Sequence, residues 1–188
     1  MREPPQSVRI RNAPLFFLAI IFVNLDVSLP AALTDIGRRF LKQKTMVRKI
    51  FIENSERKIA PNFKESEFYT KDPNFEGPHI FDATLISISQ YLRTELASPM
   101  RVHSTYRSAE YNATIRGSAS KSRHVHGDAI DIGCPAKMPA LIQLVTEKGP
   151  ILDHLVRLGI RGIGLYNTFI HLDTRPATTV IRWDNRSK

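Results

Sequence analysis

Between Ile80 and Leu96 the apolar residues Phe81, Leu85, Ile88, Leu92 and Leu96 recur at spacings of three and four. That is the helical period, and it predicts an amphipathic helix there. Upstream, residues 46–78 read as a lead-in segment. Within it, Asn62-Phe63-Lys64-Glu65-Ser66-Glu67-Phe68 is a short amphipathic piece whose two Phe residues can dock on a core. Tyr69 to Pro78, with its Pro, Asp, Asn and Gly, reads as loop. Downstream, short strands and short helices alternate. Arg101 to Thr105 is a strand candidate after Pro99, and Glu110 to Arg116 a short helix ended by Gly117. Gly117 to Arg123 is a small, polar, basic loop, and Asp128 to Gly133 reads as a strand. Lys137 to Gly149 and Ile151 to Gly159 read as helices divided by Pro150. Gly162 to Tyr166 and Thr168 to Thr174 read as two strands joined at Asn167, in the manner of a hairpin. There is no internal repeat or low-complexity tract.

The N-terminal arm follows a different pattern. Arg2, Arg9 and Arg11 precede an apolar run from Ala13 to Val23, which Asn24 and Asp26 then break. The run is too short to span a bilayer, which takes about 20 apolar residues. A basic start followed by such a run has the layout of a secretory signal, although Pro30-Ala31-Ala32 makes a poor cleavage region. Three readings stand: an export signal, a weak membrane anchor, or an extension ahead of an alternative start at Met46. The expected division is an arm over 1–45 and one domain over 46–188. The arm is then the part to look to for membrane contact. An exported chain would be periplasmic, extracellular or membrane-attached. Otherwise it would stay cytoplasmic until released, as phage proteins are.

Composition narrows the picture only a little. The 188 residues are 42% hydrophobic and 24% charged, which is ordinary for a globular protein. The single cysteine, Cys134, excludes an internal disulfide. The net charge is +9, but residues 1–60 hold eleven Lys and Arg against five Asp and Glu, while residues 61–188 hold sixteen against thirteen. A nucleic-acid-binding domain carries its basic patch on the folded unit, so this distribution argues against one. An anionic membrane surface or cell-wall polymer fits better, beside the plain reading of a solvated basic tail.

The chemistry concentrates in Ser122-Arg123-His124-Val125-His126-Gly127-Asp128-Ala129-Ile130-Asp131 and in Thr168-Phe169-Ile170-His171-Leu172-Asp173. Alternate residues of a strand share a face. Asp131 therefore projects opposite Ile130 and Ile132, and His171 and Asp173 project opposite Ile170 and Leu172. Gly127 allows a close turn that brings His124 in from the loop. Two imidazoles and a carboxylate form a sufficient ligand set for a catalytic zinc, whose fourth position stays open. Each residue also has a structural reading: a hydrogen-bonded strand histidine, or an aspartate that caps or pairs with an arginine.

Taken together, S-x-H-x-x-G-x-A-x-D and F-x-H-x-D resemble the M15 peptidase family of zinc D-Ala-D-Ala carboxypeptidases and peptidoglycan endopeptidases. The resemblance covers roughly residues 60–184. Asn62 to Phe68 looks like the family's N-F-x-x-S-E-F, and Ser104-Thr105-Tyr106-Arg107-Ser108-Ala109-Glu110-Tyr111-Asn112 like its S-G-Y-R-S-P-E-Y-N. Gly162 to Tyr166 and Trp183 add further matches. The resemblance implies an α+β fold with a small, mainly antiparallel sheet, a zinc cleft and flanking helices. It implies His124, Asp131 and His171 as zinc ligands, Arg107 as a catalytic and substrate-binding arginine, and Ser122 as a substrate-binding serine. The implied partners are peptidoglycan peptides; the charge distribution, not the resemblance, is what argues against nucleic acid.

The chain departs from the family at three places. Thr105 and Ala109 replace the usual Gly and Pro of the arginine motif. Thr168 stands where many relatives carry an acidic general base, and threonine is no base near neutral pH. Asp173 is the nearest substitute, either as base or as a partner that orients an imidazole. His126 is a further acid/base candidate, with solvent exposure as its plainer reading, and His79, His103 and His154 are expected to be structural. The expected activity is zinc-dependent hydrolysis of peptidoglycan stem peptides or cross-bridges. A non-catalytic zinc-binding module of the same fold is the rival.

Overall fold

The computed structural model describes residues 49–187. The expected arm over 1–45 and the alternative start at Met46 lie outside the described residues. The fold is α+β, as the resemblance implied. Its frame is a five-stranded sheet built from β5 (Arg101–Ser104), β6 (Ala129–Gly133), β7 (Gly162–Leu165), β8 (Ile170–Asp173) and β9 (Ile181–Asp184). Their order is β5-β6-β8-β7-β9. Every neighbouring pair is antiparallel except β7 with β9.

Two small sheets precede this frame. β1 (Lys49–Ile52) pairs antiparallel with β4 (His79–Asp82), and β2 (Lys58–Ala60) pairs with β3 (Phe63–Lys64). The lead-in segment thus holds three short strands, while Tyr69 to Pro78 is loop as expected. The expected helix is α1 (Ala83–Leu96) and starts three residues late. The Asp82 side chain accepts a hydrogen bond from the Thr84 N–H (2.9 Å), which makes Asp82 the N-cap and leaves His79–Asp82 free to pair with β1. A remote strand partner of this kind leaves no local trace in the helical pattern.

The remaining helices are α2 (Ala109–Thr114), α3 (Met138–Thr146) and α4 (Pro150–Arg157). Pro150 opens α4 rather than merely dividing two helices, because its fixed φ and missing N–H suit a first helical turn. The predicted strands appear shortened, and β9 was not predicted at all. Alternation placed Ile130, Ile132, Ile170 and Leu172 correctly: all four are fully buried with Leu85, Ile88, Leu92, Leu141 and Leu155. Phe63 and Phe68 dock on this core edge to face, with ring centroids 5.4 Å apart. None of the helices among the described residues is long and apolar enough to cross a membrane.

A bulge interrupts β5. Val102 lies opposite Ile132, but the next partnered residue is Ser104, opposite Asp131. His103 is the extra residue, and the slip brings Ser104 rather than His103 beside Asp131.

His79 shows how the β1–β4 sheet is tied to the rest. It is buried and stacks on Tyr106 (centroids 5.0 Å apart), and its Nε2 accepts the Thr70 N–H (3.1 Å). Burial pushes its pKa down to about 4 from an ordinary 6.5. The folded state therefore resists protonation that the unfolded chain accepts. The stability from this residue is complete above pH 6.5 and is lost as the pH falls toward 4, by up to about 3 kcal/mol. Urea unfolding at pH 7 and pH 4.5 should show wild type losing about 2–3 kcal/mol more than His79→Gln, which keeps an acceptor without a titrating ring. Parallel pH profiles would show that His79 does not set this pH dependence.

Candidate metal centre

One row of residues crosses the whole sheet. Ser104 lies opposite Asp131, Asp131 opposite His171, His171 opposite Gly164, and Gly164 opposite Trp183. Directly opposed residues project to the same face, so the register alone gathers these side chains. His124 arrives from the short 3-10 turn Arg123–His126. Gly127 ends that turn at φ +65°, a conformation that favours glycine. A Cβ there would also overlap the Ile80 carbonyl, so the turn is pressed directly against β4.

The result is a triangle of buried donor atoms. His124 Nε2 lies 3.1 Å from Asp131 Oδ1 and 3.2 Å from His171 Nδ1, and His171 Nδ1 lies 2.8 Å from Asp131 Oδ1. Ligands about 2.0–2.1 Å from a tetrahedral ion stand about 3.3 Å apart, so the triangle has the dimensions of three ligands on one small cation.

Hydrogen bonds on the far side of each ring agree with this. His124 Nδ1 is 2.5 Å from the Thr105 carbonyl, an acceptor only, so the proton sits on Nδ1 and Nε2 presents a lone pair. His171 Nε2 is 3.1 Å from Asp173 Oδ2, which holds a proton on that outer nitrogen, while Nδ1 faces Asp131 Oδ1 and would bind a metal ion in place of its own proton. Thr105 is fully buried, and its hydroxyl donates to the Phe68 carbonyl (2.8 Å), which fixes the segment carrying that carbonyl. The residues present therefore fit a metal ion in position and in donor chemistry.

Charge is tuned to match. Burial opposes ionisation of Asp131, but His124 and His171 outweigh it and hold the carboxyl below the usual carboxylate range. Burial likewise disfavours a charged His171, yet Asp131 and Asp173 on either side raise its pKa. A metal ion at the triangle competes with that proton, so binding strengthens as pH rises.

Asp173 is completely buried. It accepts from Arg175 Nε (2.7 Å) and Nη2 (2.5 Å) as well as from His171 Nε2. Burial raises its pKa, but Arg175 and His171 prevail and hold it below the carboxylate range. Its carboxylate fills the space over Gly162, where any Cβ would overlap it. It therefore meets His171 on the ring nitrogen that faces away from the triangle. This geometry favours the orienting role over the base.

Arg107 donates from Nη2 to Asp131 Oδ2 (2.9 Å) and from Nε to Ser104 Oγ (2.8 Å). Those bonds use two of its five N–H donors. The ion pair that stood as the structural reading of Asp131 and Arg107 is thus present alongside the ligand geometry. Ser122 lines the same cleft of about 440 Å³, together with Arg107, His124, Asp131 and His171. Thr168 lies on an exposed bend and is not among the lining residues. His126 is exposed, His103 lies beside Phe169, and His154 packs on Tyr91.

Sequence reasoning missed part of the cleft. Arg116, Lys121, Arg123 and Arg175 join Arg107 in its wall, and the only carboxylate among the described lining residues is Asp131. Counting charge by segment hid this local concentration. Arg175 could have been found, because His171, Asp173 and Arg175 are spaced by two along one strand direction.

A buried triad of His, Asp and His in a cleft lined by Arg and Lys side chains has the form of a metallopeptidase site. Residues 61–173 match the Peptidase M15 family, and the chain belongs to that family. It is therefore classed with the hydrolases, among metal-dependent peptidases. No curated protein matches the chain.

If Asp173 orients His171, then Asp173→Asn should weaken metal binding about 10–100-fold. Gly162→Ala, which displaces the carboxylate without removing it, should act in the same direction. Competition against a chromophoric chelator measures both. Unchanged affinity in both variants would contradict the orienting role.

Proposed function

We propose that the chain is a zinc peptidase that cleaves peptide bonds in peptidoglycan stem peptides or cross-bridges. The carrying observation is the donor triangle, with the outer nitrogen of each imidazole hydrogen-bonded to an acceptor outside it. A mixed imidazole and carboxylate set suits zinc, and His124, Asp131 and His171 would hold it. Bound zinc supplies Lewis-acid catalysis of hydrolysis.

The chain's own residues do the rest. The Thr105 carbonyl keeps the proton on His124 Nδ1, and Asp173 keeps it on His171 Nε2. Arg107 already spans Asp131 and Ser104, and its remaining N–H groups bind a substrate carboxylate or carbonyl oxygen. The Ser122 hydroxyl hydrogen-bonds the substrate. Arg116 and Lys121 at the rim attract an anionic peptide. The cations ring one cleft around the triangle, which suits a compact anionic group better than an extended phosphate backbone. The arm over 1–45 would carry export or membrane contact, with 46–188 as the working domain.

One observation favours a second reading. Among the described residues lining the cleft there is no carboxylate besides the ligand Asp131, and so no conventional acidic base. A metal-binding module that recognises wall or a protein partner without turning it over would look the same.

One experiment separates the two readings. Purified protein should contain about one zinc per chain and lose most of it in His171→Ala. Incubated with peptidoglycan, the zinc form should release peptide products seen by mass analysis. Chelator should stop the release, and added zinc should restore it. Stoichiometric zinc with no product would overturn the peptidase reading in favour of the binding module. Full zinc occupancy in His124→Ala and His171→Ala would overturn the site itself.

A further inference from the structure

Tyr166 has an unusual set of partners. It follows β7 directly, two residues beyond Gly164, and stacks on Phe169 with centroids 4.4 Å apart and planes 15° apart. Its N–H donates to the Phe169 carbonyl (3.1 Å), which closes the turn. The phenol oxygen accepts twice, from Trp183 Nε1 (3.2 Å) and from Asn185 Nδ2 (3.2 Å). A phenol oxygen has two acceptor sites and one proton. Both acceptor sites are used, so the hydroxyl can act only as a donor, and among the described residues nothing accepts from it. The residue lines the same cleft as Arg107 and the donor triangle.

Trp183 ties this hydroxyl to the metal centre. Its indole occupies the space over Gly164, where a Cβ would overlap it, and lies 5.3 Å from the His171 ring and 5.3 Å from the Arg175 guanidinium. The indole N–H is thereby aimed by the same row that assembles the triangle. Two N–H groups donating into the phenol oxygen polarise it and strengthen its O–H as a donor.

We infer that Tyr166 is a catalytic residue whose hydroxyl donates a hydrogen bond to the scissile carbonyl oxygen as that oxygen takes on negative charge. Trp183 and Asn185 are positioning residues that act through it. The inference rests on the peptidase reading above. It gives the cleft a neutral donor besides the cationic one, Arg107, in a wall without a free carboxylate. No proton changes hands; the hydroxyl stays protonated and stabilises charge that builds and then collapses.

The test uses full-length zinc-loaded protein and the peptidoglycan-derived peptide that wild type cleaves. Tyr166→Phe keeps the ring stacked and removes only the hydroxyl. Loss of one such donor typically costs about 10²–10³-fold in kcat, so kcat should fall on that scale while KM, zinc content and melting temperature hold. Affinity for a phosphinate analogue of the cleaved bond, measured by calorimetry, should fall by a similar factor, whereas affinity for the product peptide should not. Asn185→Ala should lower kcat by a smaller factor. A Tyr166→Phe enzyme within twofold of wild type would overturn the inference and leave the peptidase reading intact. Activity lost together with zinc or melting temperature would also overturn it, by marking the residue as structural. A wild type that holds zinc and cleaves nothing would overturn the peptidase reading, and the inference with it.

Discussion

The site depends on strand register. Ser104, Asp131, His171, Gly164 and Trp183 stand in one line because five short strands pair in a single alignment. A one-residue slip in β6 or β8 would send Asp131 or His171 to the opposite face and expose isoleucines that are now buried. Packing of Ile130, Ile132, Ile170 and Leu172 therefore helps to hold Asp131 and His171 on the face of the triangle. The β5 bulge shows the same economy: one unpaired residue, His103, sets Ser104 beside Asp131 and gives Arg107 a second anchor.

Around that row the structure holds protons in chosen places. The Thr105 carbonyl and the Asp173 carboxylate each hold a proton on the outer nitrogen of an imidazole, so that the inner nitrogens are the ones turned toward the triangle. Asp173 can do this only because Arg175 neutralises it and Gly162 leaves room for it. A buried carboxylate without that pairing would be costly. Of the cations that line the cleft, Arg107, Arg123 and Arg175 are each paired with an aspartate, which leaves Arg116 and Lys121 as its outer charges.

Much of this was legible in the residues. Alternation in Asp128–Gly133 and Thr168–Thr174 predicted which side chains face the site, and the His124, Asp131 and His171 positions followed from motif order. The missed features were the ones that depend on distant partners. Ile80–Asp82 reads as the start of a helix until β1 supplies a strand neighbour. Strand β9 has no clear alternation, with Ile181 and Arg182 both exposed, and it exists because Gly162–Leu165 offers a parallel edge. Arg175 lies far in sequence from Arg116 and Lys121 and joins them only around the folded cleft. The role of Asp173 could not be chosen from the chain alone, since strand parity puts it on the face of His171 without saying which ring nitrogen it meets.

If hydrogen bonds outside the triangle dictate which nitrogen of each histidine binds metal, the bound state has a definite signature. Long-range ¹⁵N–¹H correlation spectra of uniformly labelled, zinc-loaded protein read it directly, because metallated, protonated and bare imidazole nitrogens differ in shift. The expected result is zinc on Nε2 of His124 and on Nδ1 of His171, with the outer nitrogen of each ring protonated. Zinc on the opposite nitrogen of either ring, or spectra unchanged by zinc, would contradict it.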